Sequence, residues 1–471
     1  MDRISQMLDA AEAVLGPAGV IRDGAAIEPW LSDWRGRFHG RSAAILAPVT
    51  SAEVAAVVRL ASEHGVPLVP QGGNTGMCAG AIPPDDGSAV LLSLRRMNRI
   101  RRIDPAARIA VVEAGVVLQT LHEAVAEQAM RFPLTLGAKG SCTIGGLIST
   151  NAGGTQVLRF GTMRALVAGI EAVLPDGSIH DGLGGLRKDN RGYSIDQLLI
   201  GAEGTLGVVT AAVLRLVPAI AERVVAWAGV ATPQQALALL RFLEARTSAV
   251  EGFELIPEDS LRLVIEHVPG TRAPLAGSPT WHVLIEATSA DAGTGLAGSV
   301  EGWLGEAMGQ GLITDAIIAA SEAQAAALWR IRDSISEAER AEGPTLAHDI
   351  SVAVEAMPDF IVAAAQQVEA AWPGAIASAF GHLGDGNVHF HVRAGNRDRD
   401  DFYGSDGIAI TRLVDDLVTA AGGSISAEHG IGQMKREEFG RLAPPGRIAA
   451  LRAIKAALDP RGIMNPGKLL P

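Results

Sequence analysis

Cysteine is nearly absent from this chain, which has only Cys78 and Cys142 among its 471 residues. Two cysteines do not make a disulfide framework, and their scarcity fits a reducing compartment. Neither has a neighbouring His or Cys that would indicate a metal site. We therefore interpret both as small packing residues.

The chain also lacks a basic excess and a long apolar run. Its formal net charge is −12, which disfavours nucleic acids and anionic membranes as partners because both require a basic footprint. No apolar run reaches the length of a membrane span. Residues 1–20 mix acids into apolar positions, which is typical of an amphipathic helix and not of a signal peptide. We expect a cytoplasmic protein without a transmembrane segment.

Length and glycine content set the expectation for domains. A chain of 471 residues with 48% hydrophobic residues is too long for one core, so we predict two or three domains. The 55 glycines exceed average usage and are clustered. The glycine clusters are therefore candidates for functional segments.

The first glycine cluster ends a strand, helix, strand pattern. Residues 43–48 read as a strand, a capping box at Thr50 starts a helix, and residues 67–70 read as the next strand. This strand runs into PQGGNTGMCAGA, residues 70–81. Glycine lets backbone N–H groups approach an anion closely, so the loop can hold a phosphate. A Rossmann fold would need a helix directly after these glycines, and the two prolines of AIPPDDG exclude one.

Two further glycine-rich stretches follow in the first half. Residues 136–161 contain too many Gly, Ser and Thr for regular structure and too few charges for a disordered linker, so we predict a long, ordered, functional loop. Asp176 and Gly177 mark a hairpin turn. Residues 198–210, LLIGAEGTLGVVT, run through glycines into a strong strand. Tight turns alone would explain one glycine pair, whereas three clusters favour close packing against a flat, polyphosphate-bearing ligand.

The second half alternates helical and strand patterns. Helices are predicted at residues 234–247, 322–339, 357–371 and 407–421, and a strand at residues 281–287. Together with the strand-like sequence GHLGDGNVHFHV, these patterns predict an antiparallel sheet under helices. The expected fold class is α+β.

Residues 380–391, FGHLGDGNVHFH, concentrate the polar chemistry of the second half. His389 and His391 alternate with apolar residues, so a strand would point both to the same face. His382 precedes a glycine-rich turn that can carry a third imidazole to the same point. Histidine with carboxylate suits zinc or manganese, and the nearest candidate carboxylate is Glu428. The alternative is a set of hydrogen-bonded structural histidines beside a turn.

Six motifs in order along the chain carry a resemblance to a known family. They are PQGGNTG, TIGGLISTNAGG with RFG a few residues after it, DNRGYSIDQLLIGAEGTLGVVT, GHLGDGNVHFH, SAEHGIG and DPRGIMNPGKLLP. The chain resembles the FAD-linked D-2-hydroxyacid dehydrogenases of the vanillyl-alcohol oxidase superfamily, whose members act on D-2-hydroxyglutarate, D-lactate or glycolate.

The resemblance implies an α+β architecture with a PCMH-type FAD-binding domain. This domain, built from two α+β subdomains, would span residues 1–217 with its core at about 40–217. A substrate-binding cap domain with an antiparallel sheet would span residues 218–417. A helical C-terminal segment, residues 418–471, would return to the flavin site.

The resemblance also implies which residues bind FAD. The pyrophosphate and ribityl chain would lie against residues 71–76 and 145–154, and residues 204–207 would pass near the adenine or the ring. Covalent members of the superfamily carry His or Cys at the attachment point in the first loop, where this chain has Asn74 and Thr75, so we expect noncovalent FAD. The expected cofactor-binding residues are Pro70, Gln71, Gly72, Gly73, Asn74, Thr75, Gly76, Gly137, Gly140, Ser141, Thr143, Gly145, Gly146, Ser149, Asn151, Gly153, Gly154, Gly161, Glu203, Gly204, Gly207, Val208 and Asn465.

The polar residues of the second half are assigned by the same resemblance to a metal-assisted oxidation. His382, His389 and Glu428 would hold a divalent metal, with Zn²⁺ expected first and Mn²⁺ as the alternative. His429 would be the general base, since the pKa of imidazole lies near working pH. The expected reaction takes a D-2-hydroxyacid to its 2-oxoacid, with the hydride delivered to flavin N5.

Substrate binding is expected at Arg332, with Ser336 one turn on, because a guanidinium there can meet an acid. A solvated helix face is the alternative reading of Arg332. The chain departs from hydroxyglutarate dehydrogenases at Ala347, where they have a Lys that helps bind the distal carboxylate, and at His391, where they have Asn. His391 or His348 would then supply a replacement cation or donor. D-Lactate, D-malate and larger or more polar hydroxyacids are therefore open as substrates beside D-2-hydroxyglutarate.

In relatives a separate carrier reoxidises the flavin, and an electron-transfer flavoprotein, a quinone or a cytochrome is expected here; a homodimer stays open. Two other classes of protein are alternatives. A metallohydrolase would use the same His and Glu residues but has no use for the glycine-rich first half. A noncatalytic flavin-binding subunit of an electron-transfer complex would keep the glycine loops but should lose the metal ligands.

Overall fold

The computed structural model describes residues 2–471 and divides into two compact units. The first unit contains residues 2–154, Gly161–Ala219 and Glu428–Pro471, and the second contains Thr155–Phe160 and Ile220–Ala427. The last stretch of chain therefore belongs to the same unit as the glycine-rich first half. No helix within residues 2–471 is long and apolar enough to cross a membrane.

Two sheets form the framework of the first unit. One has four strands in the spatial order Val20–Ile21, Ile45–Leu46, Val90–Ser93, Leu68–Gln71, and Val90–Ser93 is parallel to both of its neighbours. The other is antiparallel, with five strands in the order Ile100–Asp104, Ile109–Glu113, Val208–Arg215, Val167–Val173, Ile179–Asp181. The predicted hairpin turn at Asp176 and Gly177 joins its last two strands. A two-stranded pair connects Met130–Arg131 with Val217–Pro218.

Helix Ser51–His64 shows how local sequence starts and ends an element of this unit. Thr50 Oγ1 accepts a hydrogen bond from Glu53 N at 3.1 Å, which confirms the predicted N-terminal cap. Gly65 ends the helix with a φ of +63°, a left-handed conformation that suits glycine. The other helices of the unit are Arg3–Leu15, Gly24–Ile27, Leu118–Ala126, Ile144–Thr150, Met163–Leu166, Ile195–Leu199, Arg436–Leu442 and Pro445–Leu458, with 3₁₀ turns at Pro17–Gly19 and Glu28–Trp30.

Helix Ile144–Thr150 corrects the prediction of a long irregular loop over residues 136–161. Its apolar residues Ile144, Leu147 and Ile148 are spaced by three and four positions and are all buried. Burial of this apolar stripe outweighs the helix cost of the two glycines that lie between them. The helix ends at Asn151, which adopts a left-handed φ of +51°.

The second unit is built on one seven-stranded sheet, which confirms the predicted antiparallel architecture. Its strands lie in the order Asp315–Ile318, Glu222–Val230, Trp281–Ser289, Val250–Pro257, Ile376–His382, Asn387–Arg393, Thr345–Ser351, and every pairing between them is antiparallel. Because side chains alternate along a strand, one face of this sheet carries both His389 and His391.

The helices of the second unit include one correction. The single helix predicted over residues 322–339 is two helices, Glu322–Asp333 and Ile335–Glu342, separated at Ser334. The ψ of Ser334 is −3°, which departs from helical geometry and interrupts the hydrogen-bond ladder. The remaining helices are Val157–Phe160, Pro233–Glu244, Glu258–His267, Leu296–Gly309, Met357–Ala371, Arg399–Tyr403 and Ser405–Ala420, with a 3₁₀ turn at Val354–Ala356.

Candidate active site

The first unit contains a cavity of about 360 Å³ whose walls are the three glycine-rich stretches. One wall comes from residues 70–81, a second from residues 136–153 and a third from residues 203–209. Glu428 and His429, from the last stretch of chain, line the same cavity. Segments that are far apart in sequence thus meet at one site.

Most of the residues expected to bind the cofactor line this cavity. They are Pro70, Gln71, Gly72, Gly73, Asn74, Thr75, Gly76, Gly137, Thr143, Gly145, Gly146, Ser149, Gly153, Glu203, Gly204, Gly207 and Val208. The lining does not include Gly140, Ser141, Asn151, Gly154, Gly161 or Asn465. It does include further residues that were not among the expected cofactor-binding residues: Met77, Cys78, Gly80, Ala81, Leu94, Ala114, Leu136, Ala138, Cys142, Leu147, Thr150, Ala152 and Val209.

Two of the predicted cofactor-binding residues that do not line the cavity stabilise the loops around it through hydrogen bonds. Asn151 Oδ1 accepts hydrogen bonds from Thr162 Oγ1 at 3.0 Å and Arg164 N at 2.9 Å. Asn465 Nδ2 donates to the carbonyl oxygens of Gly80 at 2.9 Å and Glu203 at 2.6 Å. Both amides therefore hold backbone in place.

Glycine is required where the first two walls approach each other. A Cβ on Gly73 would lie 2.0 Å from the carbonyl oxygen of Ser141, and one on Gly72 would lie 2.2 Å from Thr143 Oγ1. Either contact would push the two loops apart. The glycines of PQGGNTG thus set the width of the cavity.

The lining fits a flavin nucleotide. Thr143 Oγ1 is buried and has no hydrogen-bond partner within residues 2–471, so this hydroxyl can bond to a ligand. Small residues on all three walls leave backbone groups open to a large polar ligand, whereas Leu94, Ala114 and Leu147 supply apolar contact for a ring.

The predicted metal histidines belong to a buried ionic cluster in the second unit. The Nδ1 atom of His382 lies 2.6 Å from Glu254 Oε1, and Arg332 Nε donates to Glu254 Oε2 at 2.7 Å. Arg332 Nη2 lies 3.3 Å from His382 Nε2 and 3.4 Å from His389 Nε2. Both Nε2 atoms are therefore neighbours of the same guanidinium nitrogen, and the centroids of the two imidazole rings lie 5.5 Å apart.

Burial and charge fix the protonation of this cluster. Burial alone would raise the pKa of Glu254, but Arg332 and His382 outweigh it and bring that pKa down to about 2. Burial, together with Arg332 and His382, holds the pKa of His389 well below its ordinary value. Glu254 is therefore a carboxylate and His389 a neutral imidazole at neutral pH.

These two histidines fit metal binding. A neutral imidazole offers its lone pair to a metal, and a carboxylate on the other ring nitrogen, as Glu254 on His382, orients such a ligand. The third predicted ligand, Glu428, belongs to the first unit. In the part of the chain that the structure describes, one group of three metal-binding side chains has ligand atoms within 4.8 Å of one another, namely Glu266, His267 and Glu342. In that group Glu266 pairs with Arg262, and His267 with Glu342, so ion pairing accounts for it.

The residues expected to bind substrate lie on or beside the same sheet. His391 is buried, its Nδ1 is hydrogen-bonded to the buried carboxylate of Glu339, and it faces Ala347 on the neighbouring strand. Ser336 is half-buried on helix Ile335–Glu342. The other candidate donor, His348, is bonded to Phe390 O at 3.0 Å and Thr411 Oγ1 at 3.1 Å.

Sequence reasoning missed Glu254. It lies 128 residues before His382, so no local spacing connects the two. The usable signal was a carboxylate inside the apolar strand sequence GFELIP, because a buried charge requires a buried partner.

Replacing Glu254 should measurably destabilise the protein. Glu254→Gln removes the negative charge that faces Arg332 and His382, and the shift of its pKa from 4.5 to about 2 corresponds to about 3 kcal/mol. Because the folded pKa is depressed, this contribution is present above pH 4.5 and is lost as the pH falls towards 2. Urea denaturation at neutral pH and at acidic pH measures both effects.

The matched control is Glu322→Gln. Glu322 pairs with Arg223 Nη1 at 2.8 Å, but its side chain is 77% exposed, so its loss should change stability by less than about 0.5 kcal/mol. Equal losses in the two variants would contradict the role given to the buried cluster.

Comparison with known proteins places the chain among flavoenzymes. The family model described as "FAD binding domain" matches residues 42–182, and that described as "FAD linked oxidases, C-terminal domain" matches residues 220–469. The mitochondrial D-2-hydroxyglutarate dehydrogenase of Arabidopsis thaliana is 36% identical over 463 residues, which cover 97% of this chain and 80% of that protein.

Solved structures agree on the fold. Alkyldihydroxyacetonephosphate synthase matches with a TM-score of 0.76 at 16% identity, covering 98% of this chain and 84% of the other. p-Cresol methylhydroxylase with bound substrate matches with a TM-score of 0.72 at 15% identity, covering 99% and 96%.

The fold and the site together define a flavoprotein with the PCMH-type α+β architecture that the sequence predicted. The chain belongs to the family of FAD-linked oxidases. It is an FAD-dependent oxidoreductase, which confirms the predicted class of enzyme and the predicted organic cofactor.

Proposed function

We propose that this chain is a dehydrogenase that oxidises a D-2-hydroxyacid to the 2-oxoacid. The observation that carries the proposal is the position of Glu428 and His429 in the lining of the glycine-walled cavity. Removing a hydroxyl proton while a hydride leaves requires a base beside the cofactor, and a metal ligand there supports the same step. The name of the Arabidopsis relative supports the substrate class.

FAD is proposed to bind noncovalently in the cavity. Bound there, FAD would accept the α-hydride of the substrate at its N5 atom. Burial raises the pKa of the Cys142 thiol to about 11, and the Cys78 thiol donates to the carbonyl oxygen of Gly430, so neither lining cysteine is a ready nucleophile. Flavin that stays in the pellet after acid precipitation would contradict noncovalent binding.

His429 acts as the general base in this proposal. One of its ring nitrogens takes the proton of the substrate hydroxyl as the C–H bond breaks, and the imidazolium later releases that proton to solvent. Its position in the lining supports this role, because a base must reach the substrate that lies against the flavin.

His382, His389 and Glu428 are proposed to hold a divalent metal, with Zn²⁺ preferred and Mn²⁺ as the alternative. A metal held by these residues would supply Lewis-acid chemistry that lowers the pKa of the substrate hydroxyl and helps to orient the substrate. The proximity of the two imidazole rings, whose centroids lie 5.5 Å apart, and the hydrogen bond between His382 Nδ1 and Glu254 support the two histidine ligands.

Arg332, Ser336 and His391 are proposed to bind the substrate acid. His391 lies on the same strand and the same sheet face as His389. The two residues are two positions apart, which corresponds to about 7 Å between their Cα atoms. The distal carboxylate of a five-carbon 2-hydroxyacid is three carbons from the hydroxyl-bearing carbon, so it would extend away from the reacting centre towards neighbouring side chains. His391, with Glu339 on its Nδ1, is therefore proposed to contact the distal part of the substrate.

Adding a lysine at Ala347 tests this specificity. Ala347 faces His391 and is half-buried, so Ala347→Lys would place a cation on the face where the distal group is expected. A charge-assisted contact of about 1.5–3 kcal/mol should raise kcat/KM for D-2-hydroxyglutarate, relative to D-lactate and D-malate, by about tenfold or more. A dye-linked assay with the three acids measures the ratio.

The control for this variant is Ala377→Lys. Ala377 is half-buried in the adjacent strand and pairs with Val392, so it lies on the opposite face of the sheet and its lysine should leave the ratio unchanged. A parent protein that already prefers D-2-hydroxyglutarate strongly, with no gain from Ala347→Lys, would contradict the specificity argument.

The electrons are proposed to pass to a separate carrier, an electron-transfer flavoprotein, a quinone or a cytochrome. A cytoplasmic location and a homodimer stay predictions from the sequence, and the Arabidopsis relative is described as mitochondrial.

A further inference from the structure

Glu203 lines the flavin cavity, yet both oxygens of its carboxylate accept hydrogen bonds from backbone N–H groups. Its side chain is buried, with Oε1 accepting from the N–H of Ile431 at 2.8 Å and Oε2 from the N–H of Gly432 at 2.7 Å. These two residues follow His429 by two and three positions. The carboxylate therefore holds the segment that carries the proposed base.

Residues 430–433, which follow His429, are packed closely against Glu203 and Cys78. A Cβ on Gly430 would lie 2.8 Å from Glu203 Oε1, and a Cβ on Gly432 would lie 1.9 Å from the carbonyl oxygen of Cys78. On the Cys78 side, the thiol donates to Gly430 O at 3.3 Å and Gln433 N donates to Cys78 O at 3.0 Å. Residues 430–433 are thus held between Glu203 and the first glycine loop.

Glu203 is itself fixed in an uncommon conformation. Its φ is +52°, in the left-handed region that favours glycine, and Gly204 beside it has a φ of +71°. The N–H of Glu203 donates to Ser149 O at 2.8 Å, and its carbonyl accepts from Asn465 Nδ2 at 2.6 Å. A non-glycine residue held in this region indicates that its side chain has a role that offsets the strain.

Charge around the carboxylate supports this arrangement. Burial raises the pKa of Glu203, and the two N–H groups with Lys435 and Lys468 oppose that rise. Lys468 is buried as well, and burial with Arg436 nearby lowers its pKa to about 8. Two buried ionisable groups, Glu203 and Lys468, therefore lie near the loop of His429.

We propose that Glu203 is the positioning residue for the general base, holding the backbone after His429 so that the imidazole stays directed at the flavin cavity. This role rests on the proposed function of His429. Both carboxylate oxygens are occupied by backbone N–H groups, so Glu203 acts through His429 and not as a ligand of the cofactor. A base that is misplaced by about 1 Å can lose about 10²-fold in rate.

A double-mutant cycle tests the proposal, with Glu203→Gln, His429→Gln and the double variant. Glutamine keeps the size of glutamate and can accept from one N–H, but its NH₂ group cannot accept from the other. Glu203→Gln should lower kcat by about tenfold or more, with KM, flavin content and the flavin spectrum retained. In the His429→Gln background, Glu203→Gln should lower kcat less than about twofold further, because the group through which it acts is already gone.

Glu222→Gln is the matched control. Glu222, in the second unit, also binds two backbone N–H groups through its carboxylate. It accepts hydrogen bonds from Thr294 N at 2.7 Å and from Leu296 N at 2.9 Å. Its kcat should equal that of the parent. If Glu203→Gln does not fold, Gly430→Ala disturbs the same contact from the other partner and should show the same non-additivity.

Two results would overturn the inference. Additive losses in the cycle, with His429→Gln itself impaired, would show that Glu203 does not act through His429 and would leave the proposed function standing. A kcat for His429→Gln equal to that of the parent would instead contradict the proposed base and with it the role of Glu203.

Discussion

Removing the divalent metal from the purified protein should abolish turnover while leaving the flavin spectrum intact. None of the three proposed metal ligands is among the residues expected to bind FAD, so loss of the metal should not release the flavin. Loss of a group that orients and acidifies the substrate hydroxyl should lower kcat by about 10²-fold or more. Dialysis against a chelator, elemental analysis and a dye-linked assay measure the three quantities.

Substitutions separate metal loss from other effects of the chelator. His382→Asn and His389→Asn should each lose metal and activity and keep flavin. His180→Asn is the control, because His180 pairs with Asp196 in the first unit at 2.8 Å and should retain metal and kcat. Full activity in metal-free protein would contradict the metal-assisted reaction.

Replacing the proposed base should lower kcat with both cofactors retained. His429→Gln removes the group that takes the hydroxyl proton, and loss of a general base costs about 10²-fold or more. Metal and flavin contents should equal those of the parent, since Glu428 and the glycine loops are unchanged. If the metal content fell as far as in His382→Asn, the division of roles between Glu428 and His429 would be wrong.

Elements with a local cause were predictable from the sequence. The cap at Thr50, the stop at Gly65 and helix Met357–Ala371 follow from patterns within a few residues, and the structure confirms each. The same holds for the shared face of His389 and His391, because alternation along a strand is a local property.

Elements decided by tertiary burial were not predictable in the same way. Glycine content argued against a helix at Ile144–Thr150, yet burial of its apolar stripe outweighs the intrinsic cost. Cys142 was read as a packing residue, and it both packs and lines the cavity. Neither outcome is visible before the three glycine-rich segments are brought together.

Hydrogen-bonded pairs of residues that lie far apart in the sequence could not be predicted from local patterns at all. Glu254 with His382 and Glu203 with Ile431 join segments separated by 128 and 228 residues. No local spacing connects them, and only a buried carboxylate in an apolar context signals that a partner exists. The motifs therefore named candidate site residues, including Glu203, whereas Glu254 and the pairing of each carboxylate with its distant partner required the structure.

The central claim is that a D-2-hydroxyacid reduces the flavin of this chain, and anaerobic mixing tests it most directly. The purified protein, with its metal, is mixed without an electron acceptor with the D and L enantiomers of 2-hydroxyglutarate, lactate and malate, while the visible absorbance of the flavin is followed. At least one D enantiomer should bleach the flavin fully within a single turnover, and its L enantiomer should not. A flavin that stays oxidised with every D-2-hydroxyacid would contradict the proposed function.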